Sequence, residues 1–136
     1  MKAKLLALAG MLWAGPALAL QPVGLENGDC RQGSTQTQVE CLTLLYNAWD
    51  AKLDAAYQNA LDWMDASIRN SSDHAQERTR EKTALELAQK NWLAYRDANC
   101  DMYANSGGTL SRVLSNDCMA RMTAYRAQEL EELLRP

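Results

Sequence analysis

Four cysteines, one histidine and a scatter of carboxylates are the side chains of this chain that could carry chemistry. Cys30, Cys41, Cys100 and Cys118 are even in number, and in an oxidising compartment such a set is read first as two disulfides. Zinc is the weaker alternative. No two of the thiols have the short gap of a zinc knuckle, and His74 is the only imidazole, so a closed site would have to gather all four thiolates from distant places. Nucleophilic catalysis lacks parts as well: His74 lies in a polar turn, no Gly-x-Ser-x-Gly elbow exists, and oxidised thiols do not attack. Asp50 with Asp54 and Glu131 with Glu132 are paired acids, but on helical surfaces such pairs are ordinarily solvated charges. No haem-attachment Cys-x-x-Cys-His is present. The expectation is a protein that is not an enzyme and uses neither metal nor cofactor.

Three connectivities are open to four thiols. Sequence order, Cys30 with Cys41 and Cys100 with Cys118, closes two loops of ordinary length, each worth roughly 3 kcal/mol in the chain-entropy model. The rival, Cys41 with Cys100, is geometrically thinkable. Sequence order is favoured because it ties the N-terminal lead-in to the first helix and brackets a loop centred on Gly107 and Gly108. A loop held at both ends loses little entropy on binding a partner.

These residues need elements to position them, and the elements begin after an export signal. Lys2 and Lys4 precede an apolar run from Leu5 to Ala14 that is too short for a stable membrane span, and Ala17 and Ala19 supply the small residues of a cleavage site. Residues 1–19 are expected to be a signal peptide, leaving one domain over 20–136. No Cys stands at the cut, so neither a lipid anchor nor stable membrane insertion is expected of the mature chain, and its location is periplasmic or secreted. Loss of Lys2 and Lys4 lowers the net charge from −3 to −5. That acidity disfavours nucleic acid and anionic membranes, serves solubility, and favours encounter with cationic partners.

The remainder of the 136 residues, 47% hydrophobic with only three Pro and seven Gly, reads as a single small helical domain. Residues 20–33, with Pro22, Gly24, Gly28 and Gly33, show no periodicity and read as an irregular lead-in. Val39, Leu42, Leu45, Tyr46, Trp49, Leu53, Tyr57, Ala60, Leu61, Met64 and Ile68 then recur at helical steps, with Ser34, Thr35 or Thr37 as candidate caps. Asn70-Ser71-Ser72-Asp73 breaks the stripe; its glycosylation triplet is too short a match to weigh. A second helix is predicted from about Ala75 through Tyr103, with Leu85, Ala88, Trp92, Tyr95 and Met102 inward and Leu87 and Leu93 widening that face. After a loop over 104–114, Ser115-Asn116-Asp117 is read as the cap of a third helix carrying Met119, Met122, Tyr125, Leu130, Leu133 and Leu134. The predicted fold is all-α: a disulfide-stapled bundle of three main helices, the first two a long antiparallel hairpin. Paired about residue 73, that hairpin sets Leu53 against Trp92, Tyr57 against Gln89, and Asp50 level with Arg96 as a partly buried bidentate ion pair that fixes register.

Cys41, Asp50, Leu53, Tyr57, Leu85, Gln89, Trp92, Leu93, Arg96, Asp97, Cys100, Cys118, Arg126 and Leu130 together resemble the lysozyme inhibitor LprI-like family. The most specific piece is Gln89-x-x-Trp92-Leu93-x-Tyr95-Arg96-Asp97-x-x-Cys100. The resemblance implies a small exported helical protein with paired cysteines that inhibits a lysozyme at the bacterial envelope. Asp50, Leu53, Tyr57, Gln89, Trp92, Arg96 and Arg126 fit the interior of the bundle, so the contact surface is sought at Asn105, Gly107, Gly108 and Leu110 in the stapled loop and at Glu26 and Asp29 in the lead-in. The partner is expected to be a protein, a cationic lysozyme whose cleft is occluded. The alternative is an envelope adaptor of the same fold, docking through an exposed apolar strip on the third helix near Leu133 and Leu134.

Overall fold

A computed structural model describes residues 20–135. The expected leader, residues 1–19, lies outside the described residues. The chain forms three α-helices, α1 over Thr35–Asn70, α2 over Ala75–Ala104 and α3 over Ser111–Glu132, with short 3-10 turns at Gly24–Asn27 and Ser72–His74. No strand occurs among the described residues.

The start of α1 is set by Ser34, whose hydroxyl accepts the Thr37 amide at 3.2 Å, a side-chain cap that satisfies one of the helix's unpaired N–H groups. At 36 residues the helix is about 54 Å long, far more than propensity alone sustains, and one apolar stripe holds it down. Val39 and Leu42 pack on Val113 near the N-terminal end, while Leu53, Ala56 and Ala60 pack with Leu85, Ala127 and Leu130 further along.

The third helix is the central one. α1 packs most extensively on α3, and the α1–α2 seam is the smallest of the three. α3 is the shortest helix, yet it is buried along Val113, Asp117, Cys118, Ala120, Thr123, Ala124, Ala127 and Leu130. Its small residues allow close approach of both neighbours, so it is filled by Ala and Thr where Met119, Met122 and Leu133 were expected; the first two are half-buried and Leu133 is exposed. Between α1 and α2, Asp50 contacts Arg96 and Asp65 contacts Lys82, so ion pairs along the two helices run in opposite chain directions.

α3 also begins earlier than predicted. It starts at Ser111, where the chain leaves Gly107 and Gly108 at φ +76° and +87°, and Ser115-Asn116-Asp117 lies within it rather than capping it. Asp117 is buried because it holds the lead-in. Its Oδ1 accepts the Leu25 amide at 2.7 Å, and Gly24, at φ +74°, sits so close that a β-carbon there would collide with that oxygen. Asp29 Oδ2 accepts the Gly24 amide at 3.1 Å, closing the turn. The lead-in is thus packed along α3: Val23 is buried, and Gln21 exchanges two hydrogen bonds with the Gln128 side chain.

Candidate functional site

The cysteines pair in sequence order, Cys30 with Cys41 and Cys100 with Cys118, their α-carbons 5.5 and 5.4 Å apart. The first pair staples the lead-in to α1, and the second ties the last turn of α2 to α3 across the intervening loop. No cysteine is left free, and among the described residues no group of three or more His, Cys, Asp or Glu is placed to hold a metal ion.

Cys100 fixes which face of α2 looks inward, and that face mixes polar and apolar side chains. The buried residues are Leu85, Gln89, Arg96 and Cys100, with Trp92 half-buried between them. The guanidinium of Arg96 lies under Tyr46 and Trp92, 5.6 and 5.4 Å from their ring centres. It donates to Asp97 Oδ1 at 2.9 Å, to Thr123 Oγ1 at 3.2 Å and to Asp50 Oδ1 at 3.4 Å. The expected bidentate pair with Asp50 is therefore replaced by a three-way division, which lets one cation tie all three helices. Arg126 lies near the Trp92 ring as well, 5.9 Å from its centre, and donates to Gln89 Oε1 at 3.0 Å. Burial pushes the Tyr46 phenol above its ordinary value of 10.0, opposed in part by the positive charge of Arg96. Tyr57 is likewise raised by burial, packed against the core cluster that contains Leu53 and Leu85. Asp50, Leu53, Tyr57, Gln89, Trp92, Arg96 and Arg126 thus form a continuous seam, joined by the hydrogen bonds of Arg96 and Arg126 and by packing of Tyr57 and Trp92 on the Leu53 cluster.

The loop that follows α2 differs in kind. Residues 104–110 are all exposed, Leu110 keeps 55% of its surface in water, and β-carbons placed on Gly107 or Gly108 would meet nothing. Asn105 closes α2 by returning its side-chain amide to the Asp101 carbonyl at 2.8 Å, and Ser111 donates its hydroxyl to the Gly108 carbonyl at 3.0 Å. Asp97 and Asp101 lie just before the loop on the rim of an open cavity of about 290 Å³ shared with Tyr46 and Arg96. Glu26 lies elsewhere. Its carboxylate accepts from the Tyr125 hydroxyl, about two turns along α3 from Asp117, and burial together with that carboxylate raises the Tyr125 phenol. Asp29 is engaged in closing the 3-10 turn. The structure therefore places the loop residues together in solvent and puts Glu26 and Asp29 on the lead-in, each with an internal partner.

A second exposed feature went unread in the sequence. Leu87, Tyr95 and Met102, 58 to 61% exposed, share the outward arc of α2 with Ala84, Ala88, Ala94 and Ala98. Ala88, Tyr95 and Met102 had been assigned to the core by hydrophobicity. The spacing of Cys100 from Arg96 and Gln89 is the signal that corrects this, since a disulfide cysteine must face its partner helix.

The lysozyme inhibitor LprI family model matches residues 30–130, from the first cysteine through the last buried leucine of α3. The chain belongs to this family. It is also 32% identical over 122 residues to an uncharacterized protein of Rhizobium meliloti (strain 1021), spanning 88% of this chain and 85% of that relative. No solved structure matches the chain. The stretch matched by the LprI model includes both disulfides, the Arg96 seam and the stapled loop, and it leaves out the segment from Leu20 to Asp29 that lies along α3.

Proposed function

We propose that this LprI-family protein is an exported, non-catalytic inhibitor that binds a lysozyme and obstructs its cleft. The observation that carries the reading is the family match across the stapled core. The solvent-facing loop around Gly107, Gly108 and Leu110 is the contact element, because the seam residues are all engaged inside the fold whereas the loop is ordered at both ends and makes no core contact. Asp97 and Asp101 beside it, within a mature chain of net charge −5, raise the encounter rate with a cationic enzyme, and such attraction weakens with salt. Two disulfides suit a compartment outside the cytoplasm, and among the described residues no helix is long and apolar enough to cross a membrane.

The test is titration of the oxidised mature protein into a c-type lysozyme acting on a cell-wall suspension, repeated at higher salt and after reduction. Saturating loss of lysis near one-to-one, abolished by reduction, supports the reading. A folded Gly107→Ala/Gly108→Ala/Leu110→Ser variant should inhibit at least tenfold less well, and full inhibition by it would remove the loop from the site. The exposed row Leu87, Tyr95 and Met102 favours a second reading, an envelope adaptor docking through α2 rather than through α3. Absence of inhibition at large excess would move the assignment there.

A further inference from the structure

The last turn of α3 is electrostatically inverted. Helix C-termini carry partial negative charge and favour cations, yet this one ends Glu129-Leu130-Glu131-Glu132 with no basic residue in the turn. Two of the carboxylates have cations from neighbouring turns: Arg126 contacts Glu129 at 3.0 Å and Arg135 contacts Glu132 at 3.0 Å. Glu131 has none among the described residues, and the positive charge that α1 offers nearby, Lys52, lies over the Trp49 ring at 4.0 Å.

The lead-in arrives at this same place. Gln21 is held to Gln128 by its amide and its carbonyl together, which fixes the backbone one residue after Leu20 on the surface of α3. Leu20 lines two adjoining cavities, one of about 230 Å³ shared with Trp49, Glu131, Glu132 and Arg135, the other shared with Glu129 and Glu132. The predicted cleavage falls at its amide nitrogen. Hydrolysis of the Ala19–Leu20 bond by a leader peptidase consumes one water, leaves a carboxylate on Ala19, and gives Leu20 a free amine that takes a proton at neutral pH.

We propose that the acidic C-terminal turn of α3 is the binding site for the α-ammonium of the processed N-terminus, with Glu131 and Glu132 as its ligands. Processing then creates a cation beside Glu131, the carboxylate of this turn that has none among the described residues, and the new end of the chain is seated on α3 by that charge and the two Gln21–Gln128 hydrogen bonds. This inference is independent of lysozyme binding. Its pH dependence follows from the sign of the pairing. An ammonium whose folded pKa is raised contributes fully below its unfolded value and is lost as pH rises through the folded one. Glu129, Glu131 and Glu132 on α3 act to raise it; Arg126, Arg135 and Lys52 act to lower it.

The experiment is an NMR titration of the mature chain, prepared with Leu20 as its first residue and labelled on leucine nitrogen and α-carbon. The Leu20 α-amine should titrate about half a unit above the ordinary α-amino range of about 7.7 to 8.0, as expected for a charge at a helix terminus. Glu131→Gln/Glu132→Gln should return it to that range, and both residues are on or near the surface, so the fold is kept. An α-amine in the ordinary range or below it in the unsubstituted protein overturns the proposal, as does an unchanged value in the double variant. Mass analysis of the exported protein adds an independent check: a first residue other than Leu20 overturns it too.

Discussion

Removing the carboxylates around Arg96 should destabilise the protein more than removing Arg96 itself. The guanidinium is the buried partner: its side chain keeps 7% of its exposure, whereas Asp50 and Asp97 keep 41% and 61%. Arg96→Met retains much of the stem packing among Tyr46, Trp92 and Thr123, deletes the charge, and leaves two carboxylates that already touch water. The loss is that of a few hydrogen bonds offset by relief of desolvation, about 1 to 2 kcal/mol. Asp50→Asn/Asp97→Asn instead keeps a buried cation and takes away both countercharges, leaving Thr123 Oγ1 and two neutral amides. Stranding a buried charge in this way costs about 3 kcal/mol or more. Each single Asn variant should cost less than half the double, since the other carboxylate compensates, so the pair is coupled. Urea unfolding of the oxidised mature chain, followed by tryptophan fluorescence, reads these differences directly. In thermal unfolding they appear as on the order of 4 °C per kcal/mol for a domain of this size. If Arg96→Met lost as much stability as the double carboxylate variant, the burial asymmetry would not govern this cluster and the reasoning would fail.

Two further outcomes rest on other parts of the fold. Gly24→Ala should cost more than about 3 kcal/mol, because it adds left-handed strain to a collision with Asp117, whereas Gly107→Ala or Gly108→Ala should each cost about 1 kcal/mol, strain without collision. The same urea experiment ranks them, and equal costs would show that Asp117 yields to the methyl group. Tyr46, Tyr57 and Tyr125 all titrate above 10.0, chiefly through burial, so their protons are held more tightly in the native state. The stability they contribute is complete below about pH 10 and is lost as pH rises through the folded values, so ultraviolet titration of native protein should show phenols ionising later than in urea. Coincident native and urea curves would refute the burial argument.

α1 was legible because its inward stripe is apolar at every turn, from Val39 to Ala60, and the sequence contains a serine where the first amide needs an acceptor. α2 was legible in its bounds and misread on part of its face for the opposite reason. Its inward face sets Gln89, Arg96 and Cys100 among Leu85 and Trp92, and the burial of those three depends on partners 18 to 46 residues away, while Leu87, Tyr95 and Met102 face water. Periodicity ranks residues by hydrophobicity, and here that ranking places Leu85 and Trp92 inward as the structure does but misplaces Ala88, Tyr95 and Met102. The Asp50–Arg96 contact was still found, since it follows from helix register rather than from face. Asp117 was taken for a cap because residue type alone does not separate a carboxylate that closes its own helix from one that accepts an amide 92 residues away. The stapled loop was legible from cysteine spacing, and Gly107 with Gly108 marked its turn. The engagement of Glu26 by Tyr125 and of Asp29 by Gly24 was not, because nothing local in the lead-in predicts its path along α3.

The exposed apolar arc of α2 bears on function as well as on prediction. A helix that buries its polar residues is free to present its apolar ones, and Leu87, Tyr95 and Met102 lead along one helix to Asn105 and the exposed Leu110. An apolar row that ends in a disulfide-held loop, with Asp97 and Asp101 beside it, has the composition of one extended surface rather than two competing ones. On that view the inhibitor and adaptor readings differ in what the loop does after docking, not in where the partner lies. Tyr95→Ser/Met102→Ser separates them: it should leave stability within about 0.5 kcal/mol, as surface changes do, and weaken partner binding in either case. The loop variant weakens inhibition only if the loop is what blocks the cleft. A lysozyme that still binds the loop variant but is no longer inhibited would assign docking to α2 and occlusion to the loop, whereas equal loss of both would make the loop the principal contact.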